Sequence, residues 1–203
     1  MDIHLWLTFF GASLLISVSP GAGAITTISN GIRYGLKDTL PGIGGLQLGY
    51  AMQVIIVGVG LGALLASSVV AFQVVKWLGI GYLVYLGYKK FTEQPQAIEF
   101  GQSAKQSAKK QFFAAALINL TNPKVTVFLV AFFPQFLDLN GDLLRQYLIL
   151  GSTVVLADCL VMLGYAILAS RLSNVLNNQA QQRIQNKLFG GLYMGVASVM
   201  AAA

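Results

Sequence analysis

Residues 5–34 and 110–136 are each apolar over a length that carries a helix across a bilayer, and each holds a helix-start signal in its middle. The first break reads "SVSPGAGA", 17–24; the second reads "NLTNPKVT", 119–126. Ser19-Pro20 and Asn122-Pro123 each join a residue that accepts from backbone N–H groups to a proline, which suits a first helical position. Inside a continuous helix that proline would remove a hydrogen bond and clash one turn back. Each segment is therefore expected to be two half-helices, the second starting near mid-membrane. A kink that serves packing alone is the plainer alternative for either proline by itself.

Four more apolar segments follow the same logic, at 40–66, 69–91, 145–169 and 186–203. The chain is 56% hydrophobic and 10% charged, with a mean hydropathy of +0.69. Soluble domains are about a quarter charged, so the bilayer is the expected solvent. The net charge of +6 does not point to nucleic acid, because the basic residues gather between the apolar segments. Arg33 and Lys37 lie after the first segment. Lys89, Lys90, Lys105, Lys109 and Lys110 lie around the third loop, and Arg171, Arg183 and Lys187 before the last segment. The other side has Arg145 with Asp2, Asp138 and Asp142. Basic loops stay cytoplasmic, which predicts both termini extracytoplasmic and an even number of spans.

Leu5 to Val18, followed by Ala22-Gly23-Ala24, has the outline of a signal peptide, but the start carries Asp2 and no lysine or arginine. A retained helix is expected. His4 reads as an interfacial residue. The single cysteine, Cys159, permits no disulfide within the chain and no cysteine metal cluster, so no cofactor or metal is expected.

A shift of 103 residues places Pro20 on Pro123 and segment 40–66 on 143–169. Three spans is an odd number, so the second half sits upside down relative to the first. The expected fold is an all-α membrane protein, 1–203, with six transmembrane helices as a 3+3 inverted repeat. Residues 1–91 form the first repeat, 92–109 a cytoplasmic linker and 110–203 the second repeat, with the first and fourth helices broken at mid-membrane. In the polar stretch 170–187, Leu172, Val175, Leu176 and Ile184 recur at roughly helical spacing; an amphipathic surface helix and a solvated loop are both open.

Helix starts expose unpaired N–H groups and a positive dipole end, a setting that suits a carboxylate. Two opposed starts define a candidate substrate site made by Ser19, Pro20, Gly21, Gly23, Asn119, Asn122, Pro123 and Lys124, with Gln47 nearby. Gly21 and Gly23 permit close approach to the backbone. Lys124 adds a full positive charge, and Asp158 is the acid well inside a span, hence the candidate for proton coupling. The two either pair or face one wet cavity, and a structural salt bridge is the rival reading. Thr26, Thr27, Asn30, Tyr50 and Gln53 are further candidates, although bonding to a neighbouring helix is the commoner use. Lys76 near the end of the third segment is expected to snorkel.

The stretches "SPGAG", "GLQLG", "GIGYLVYLG", "NLTNPKVTVFLVAFFPQF" and "GYAILA" resemble the LysE/RhtB family of amino-acid exporters, in the family's order and over nearly the whole chain. "SPGAGAITT", "VGVGLGALL", "FQVVKWLG" and "NLTNPK" are most similar to its RhtB branch, associated with homoserine and homoserine lactone efflux. The resemblance implies an exporter of small amino acids or derivatives, driven by the proton motive force, in the bacterial inner membrane. Gly49-Tyr50 departs from relatives that carry an acid after this glycine, which makes Asp158 the heir to any role of that acid.

A thiol–disulfide carrier needs a cysteine pair, which is absent. A channel or a non-transporting membrane scaffold is the alternative that spans alone leave open. No nucleophile, base and stabiliser assemble in the sequence, so an enzyme is not expected. The exact substrate and the oligomeric state, a homo-oligomer included, stay open.

Overall fold

The computed structural model describes residues 2–19, 21–67, 69–94, 106–138, 141–171 and 179–202, and among them every regular element is helical. In chain order these are α1 (Ile3–Val18), α2 (Ala22–Ser67), α3 (Val69–Thr92), α4 (Ala108–Leu120), α5 (Pro123–Phe132), a 3-10 turn (Phe133–Phe136), α6 (Leu143–Arg171) and α7 (Gln179–Ala202).

Local chemistry sets most of the ends. The Asp2 carboxylate accepts from the backbone N–H groups of His4 at 2.7 Å and Leu5 at 3.1 Å, so α1 starts with a side-chain cap. Asn122 Oδ1 accepts from the Lys124 N–H at 3.1 Å, and Pro123 opens α5. The gap left between the first two expected spans, 35–39, opens with a turn at Gly35. There φ is 75° and ψ 176°, a region reserved almost wholly for glycine. The chain doubles back at this point. A side chain on Gly42 would meet Asn30 at 3.5 Å, and one on Gly23 would meet Leu46 at 3.2 Å. Thus α2 is a hairpin of two limbs, 22–34 and 36–67, which match the end of the first expected span and the whole of the second.

Both expected breaks are present. The chain between α1 and α2 is non-helical at Ser19 and Gly21, and α4 and α5 are bent by 47° across Thr121 and Asn122. One detail differs from the expectation: α2 begins at Ala22, so the first break carries no proline at N1. Pro20 itself lies outside the described residues. So do linker residues 95–105 and Leu172, Val175 and Leu176 of the expected amphipathic helix, as does the Lys76 side chain. The polar stretch from Gln179 onward belongs to the last helix, with Asn186 Nδ2 donating to the Glu93 carbonyl at 3.2 Å.

Large apolar side chains face outward, Val59 being 73% exposed, whereas Gln53, Asn119, Asn122 and Asp158 are buried. This inversion suits a bilayer. By length and composition, Ala22–Gly60 and Leu143–Arg171 are long and apolar enough to cross one, and the bent pair is a third if it makes a single span.

Glycine lets two helices meet. A Cβ on Gly45 would lie 2.0 Å from the Phe112 carbonyl oxygen, and one on Gly49 2.2 Å from that of Ala116. The second limb of α2 therefore runs parallel to α4 in backbone contact, a small-residue packing. In the same way α1 runs parallel to α6, since Trp6 Nε1 donates to Thr153 Oγ1 at 2.9 Å and the Tyr165 hydroxyl donates to the Val18 carbonyl. At one end of α6, Asp2, Asp138, Asp142 and Arg145 share a cavity of about 730 Å³. At the other end, Ala166 and Ala169 pack on Gly31, two residues from Arg33.

Two apolar clusters hold the helices. Phe9 is fully buried among Phe128, Phe132, Phe133 and Phe136, with ring centroids 5.2–6.4 Å away. Ala24, Ile43, Leu46, Ala115, Met162 and Ala166 form the second cluster. The helix breaks lie between them.

Candidate functional site

A small polar cavity occupies that gap. It is lined by Ser17 and Gly21 at the first break, Asn119, Asn122 and Lys124 at the second, Gly23, Leu46 and Tyr50 from α2, and Asp158 and Met162 from α6. Both breaks thus meet at one place, as their sequences suggested. The cavity volume is about 20 Å³. That is room for one water-sized body, so a whole amino acid enters only when helices move.

Lys124 sits at the second position of α5, where its own helix dipole disfavours a cation. Its side chain reaches instead to the negative end of α1. Nζ donates to the Ile16 carbonyl at 3.0 Å and to the Ser19 carbonyl at 2.9 Å. An ammonium has three N–H donors, so one remains for another partner. Gly21 gives this ammonium its room, since a Cβ there would stand 3.3 Å from Nζ. The sequence reading opened Gly21 to a ligand; in the structure the lysine comes closest to it.

The second break is pinned in a parallel way. Gln53 Nε2 donates to the Leu120 carbonyl at 2.7 Å and to Thr126 Oγ1 at 2.8 Å. Gln53 is thus a fastener for the break and does not line the cavity. Asn119 Nδ2 donates to the Leu46 carbonyl at 2.8 Å, and Asn122 Nδ2 to Asn119 Oδ1 at 3.4 Å.

Asp158 is 8% exposed and accepts from Gln47 Nε2 at 3.0 Å. It shares the cavity with Lys124 but makes no direct ion pair with it. Pro123 is exposed and acts only as a helix start. Thr27 turns to Met162, its hydroxyl 3.7 Å from the sulfur, and Thr26 bonds back to the Ala22 carbonyl at 2.8 Å. Sequence reasoning missed Ser17 and Met162. Ser17 lay within the first quoted break; Met162 is one turn beyond Asp158 and carried no signal. No group of three or more His, Cys, Asp or Glu residues suited to a metal occurs among the described residues.

An apolar exterior around buried polar side chains and a charged cavity between broken helices defines a helical membrane protein with a polar interior site. The family described as "LysE type translocator" matches residues 14–203, and the chain belongs to that family. An uncharacterized membrane protein of Vibrio cholerae is 43% identical over 203 residues, covering 100% of this chain and 99% of its own length. The homoserine/homoserine lactone efflux protein of Salmonella typhi is 40% identical over 204 residues, covering 100% and 98%. A leucine efflux protein of an Enterobacter strain is 26% identical over 203 residues, covering 98% and 96%. No solved structure matches the chain.

Proposed function

We propose that the protein is a secondary-active exporter of small amino acids or derivatives such as homoserine, homoserine lactone or threonine, driven by the proton motive force across the bacterial inner membrane. The observation that carries this reading is the convergence of Lys124 and Asp158 on one cavity between two broken helices. The family membership and the names of the efflux relatives support export. Lys124, with its remaining N–H, and the start of α5 hold the substrate carboxylate; Asp158 exchanges the proton.

The six-span inverted repeat belongs to the same proposal. Its support is reciprocal packing: the first helix of each half, α1 or α4, lies parallel to the second helix of the other half. In this plan the linker is cytoplasmic and both termini are extracytoplasmic, as the loop charges direct.

Counterflow in proteoliposomes tests the function. Vesicles preloaded with homoserine should take up labelled homoserine and homoserine lactone with saturation, and an imposed pH gradient should drive accumulation. Flux that rises linearly with concentration and ignores the gradient would instead establish a channel.

A further inference from the structure

We propose that Asp158, Gln47 and Ser17 form the seat for the substrate's primary ammonium group, an assignment that rests on the exporter reading above. The Asp158 carboxylate accepts from Gln47 Nε2 at 3.0 Å, and the Ser17 hydroxyl also bears on it. That bond fixes the amide, because the flipped orientation would set oxygen against oxygen. Gln47 Oε1 is then a buried acceptor with no donor. Ser17, 2% exposed, has a buried hydroxyl that bonds no helix carbonyl and faces the Asp158 carboxylate instead. Its neighbour one turn earlier behaves in the ordinary way: Ser13 Oγ donates to the Phe9 carbonyl at 2.7 Å. Ser17 instead lines the cavity together with Asp158.

A carboxylate and a hydroxyl oxygen thus line space for one water-sized group, the Gln47 amide steadies the carboxylate from beside it, and the Lys124 ammonium is held at the α1 carbonyls. Buried polar atoms left without partners are costly. A ligand bearing one positive charge and three N–H donors meets both the carboxylate and the hydroxyl oxygen, whereas a second carboxylate would be repelled. Homoserine and its lactone share this ammonium and differ at the carboxyl end, so a seat on the shared group explains how one site takes both. The titratable groups facing Asp158 are Lys124 from α5 and Tyr50 from α2, with Cys159 beside it on α6. A proton on Asp158 and an ammonium against it exclude each other, which is the condition for exchanging one for the other.

The test compares homoserine lactone with N-acetylhomoserine lactone, which lacks the ammonium, in counterflow by the full chain in proteoliposomes. Acetylation should raise the half-saturation concentration in the wild type by about tenfold or more, the size of a lost charge-assisted hydrogen bond. In Asp158→Asn that penalty should shrink, and in Ser17→Ala it should shrink by a smaller factor. A lesion that is only structural would weaken both lactones alike and leave the penalty unchanged, which would overturn the seat. Equal handling of the two lactones by the wild type would also overturn it, with the exporter reading intact. Saturable exchange of neither homoserine nor its lactone would sink both readings.

Discussion

Lys124 on α5 donates to the Ser19 carbonyl oxygen at 2.9 Å, so the residue after the second break closes the first. The ammonium donates to carbonyl oxygens at the C-terminal end of α1. Lys124→Met removes that donor and should lower the thermal midpoint of the purified protein. The Ile16 and Ser19 carbonyls lose that donor, and an acceptor left unsatisfied away from water costs about 1–3 kcal/mol. The same change should raise the KM for homoserine by about tenfold or more and that for the lactone, which has no free carboxylate, by less. Equal losses for the two substrates would make Lys124 a structural fastener alone.

The contact between α2 and α4 predicts a steep dependence on side-chain size. Gly49→Leu drives carbon into the Ala116 carbonyl, where even a Cβ would lie at 2.2 Å. Backbone cannot step aside as a side-chain tip can, so a loss of at least about 1–3 kcal/mol is expected. Gly60→Ala on the same helix meets nothing within 4 Å and should leave stability unchanged. Thermal scans of the two variants in one detergent check this.

The hairpin at Gly35 has its own signature. A side chain at φ 75° and ψ 176° is strained by about 1–3 kcal/mol. Gly35→Ala should insert poorly or melt early, while Gly11→Ala, in open space on α1, serves as a control. An unchanged midpoint for Gly35→Ala would show that the turn relaxes without penalty.

How much of this was legible beforehand depended on range. Asn122-Pro123 announced its helix start because cap and proline are neighbours in sequence, and the cap bond formed as expected. Segment limits were legible for most apolar runs, which report their own length, but not for the last helix, whose polar first turns from Gln179 precede the expected start at 186. The Lys124 tie to Ile16 and Ser19 was not, because it joins residues more than a hundred positions apart. The sequence supplied the charges of Lys124 and Asp158 but not their separate partners; the structure gives each its own acceptor or donor within the same cavity. Gln53 follows the commoner of its two readings: residues three apart drift around a helix, and it bonds a neighbouring helix at the Leu120 carbonyl and does not line the cavity.

Sidedness is testable by labelling. In a Cys159→Ala background, Lys105→Cys should be shielded from an impermeant thiol reagent in intact cells, and Asn140→Cys should react. The motive is the gathering of lysine and arginine on one set of loops. Reaction at position 105 with none at 140 would reverse the orientation.

Asp158 is expected to couple transport to protons. Export against a gradient needs a group that takes up and releases a proton as the carrier alternates. Among the acids of the described residues, Asp158 is the one placed in the interior cavity; Asp2, Asp138 and Asp142 share the cavity at the end of α6. Its surroundings change if helices move, because Lys124, Gln47 and the entering substrate all bear on it, and each alters the balance between its charged and neutral forms. Asp158→Asn keeps the shape and the contact with Gln47 but cannot release a proton. Vesicles of this variant should lose accumulation driven by a pH gradient while retaining downhill exchange at saturating substrate. Asp158→Glu keeps the acid and should retain part of the coupling. Continued concentration of substrate by Asp158→Asn vesicles under an imposed pH gradient would remove Asp158 from the coupling role.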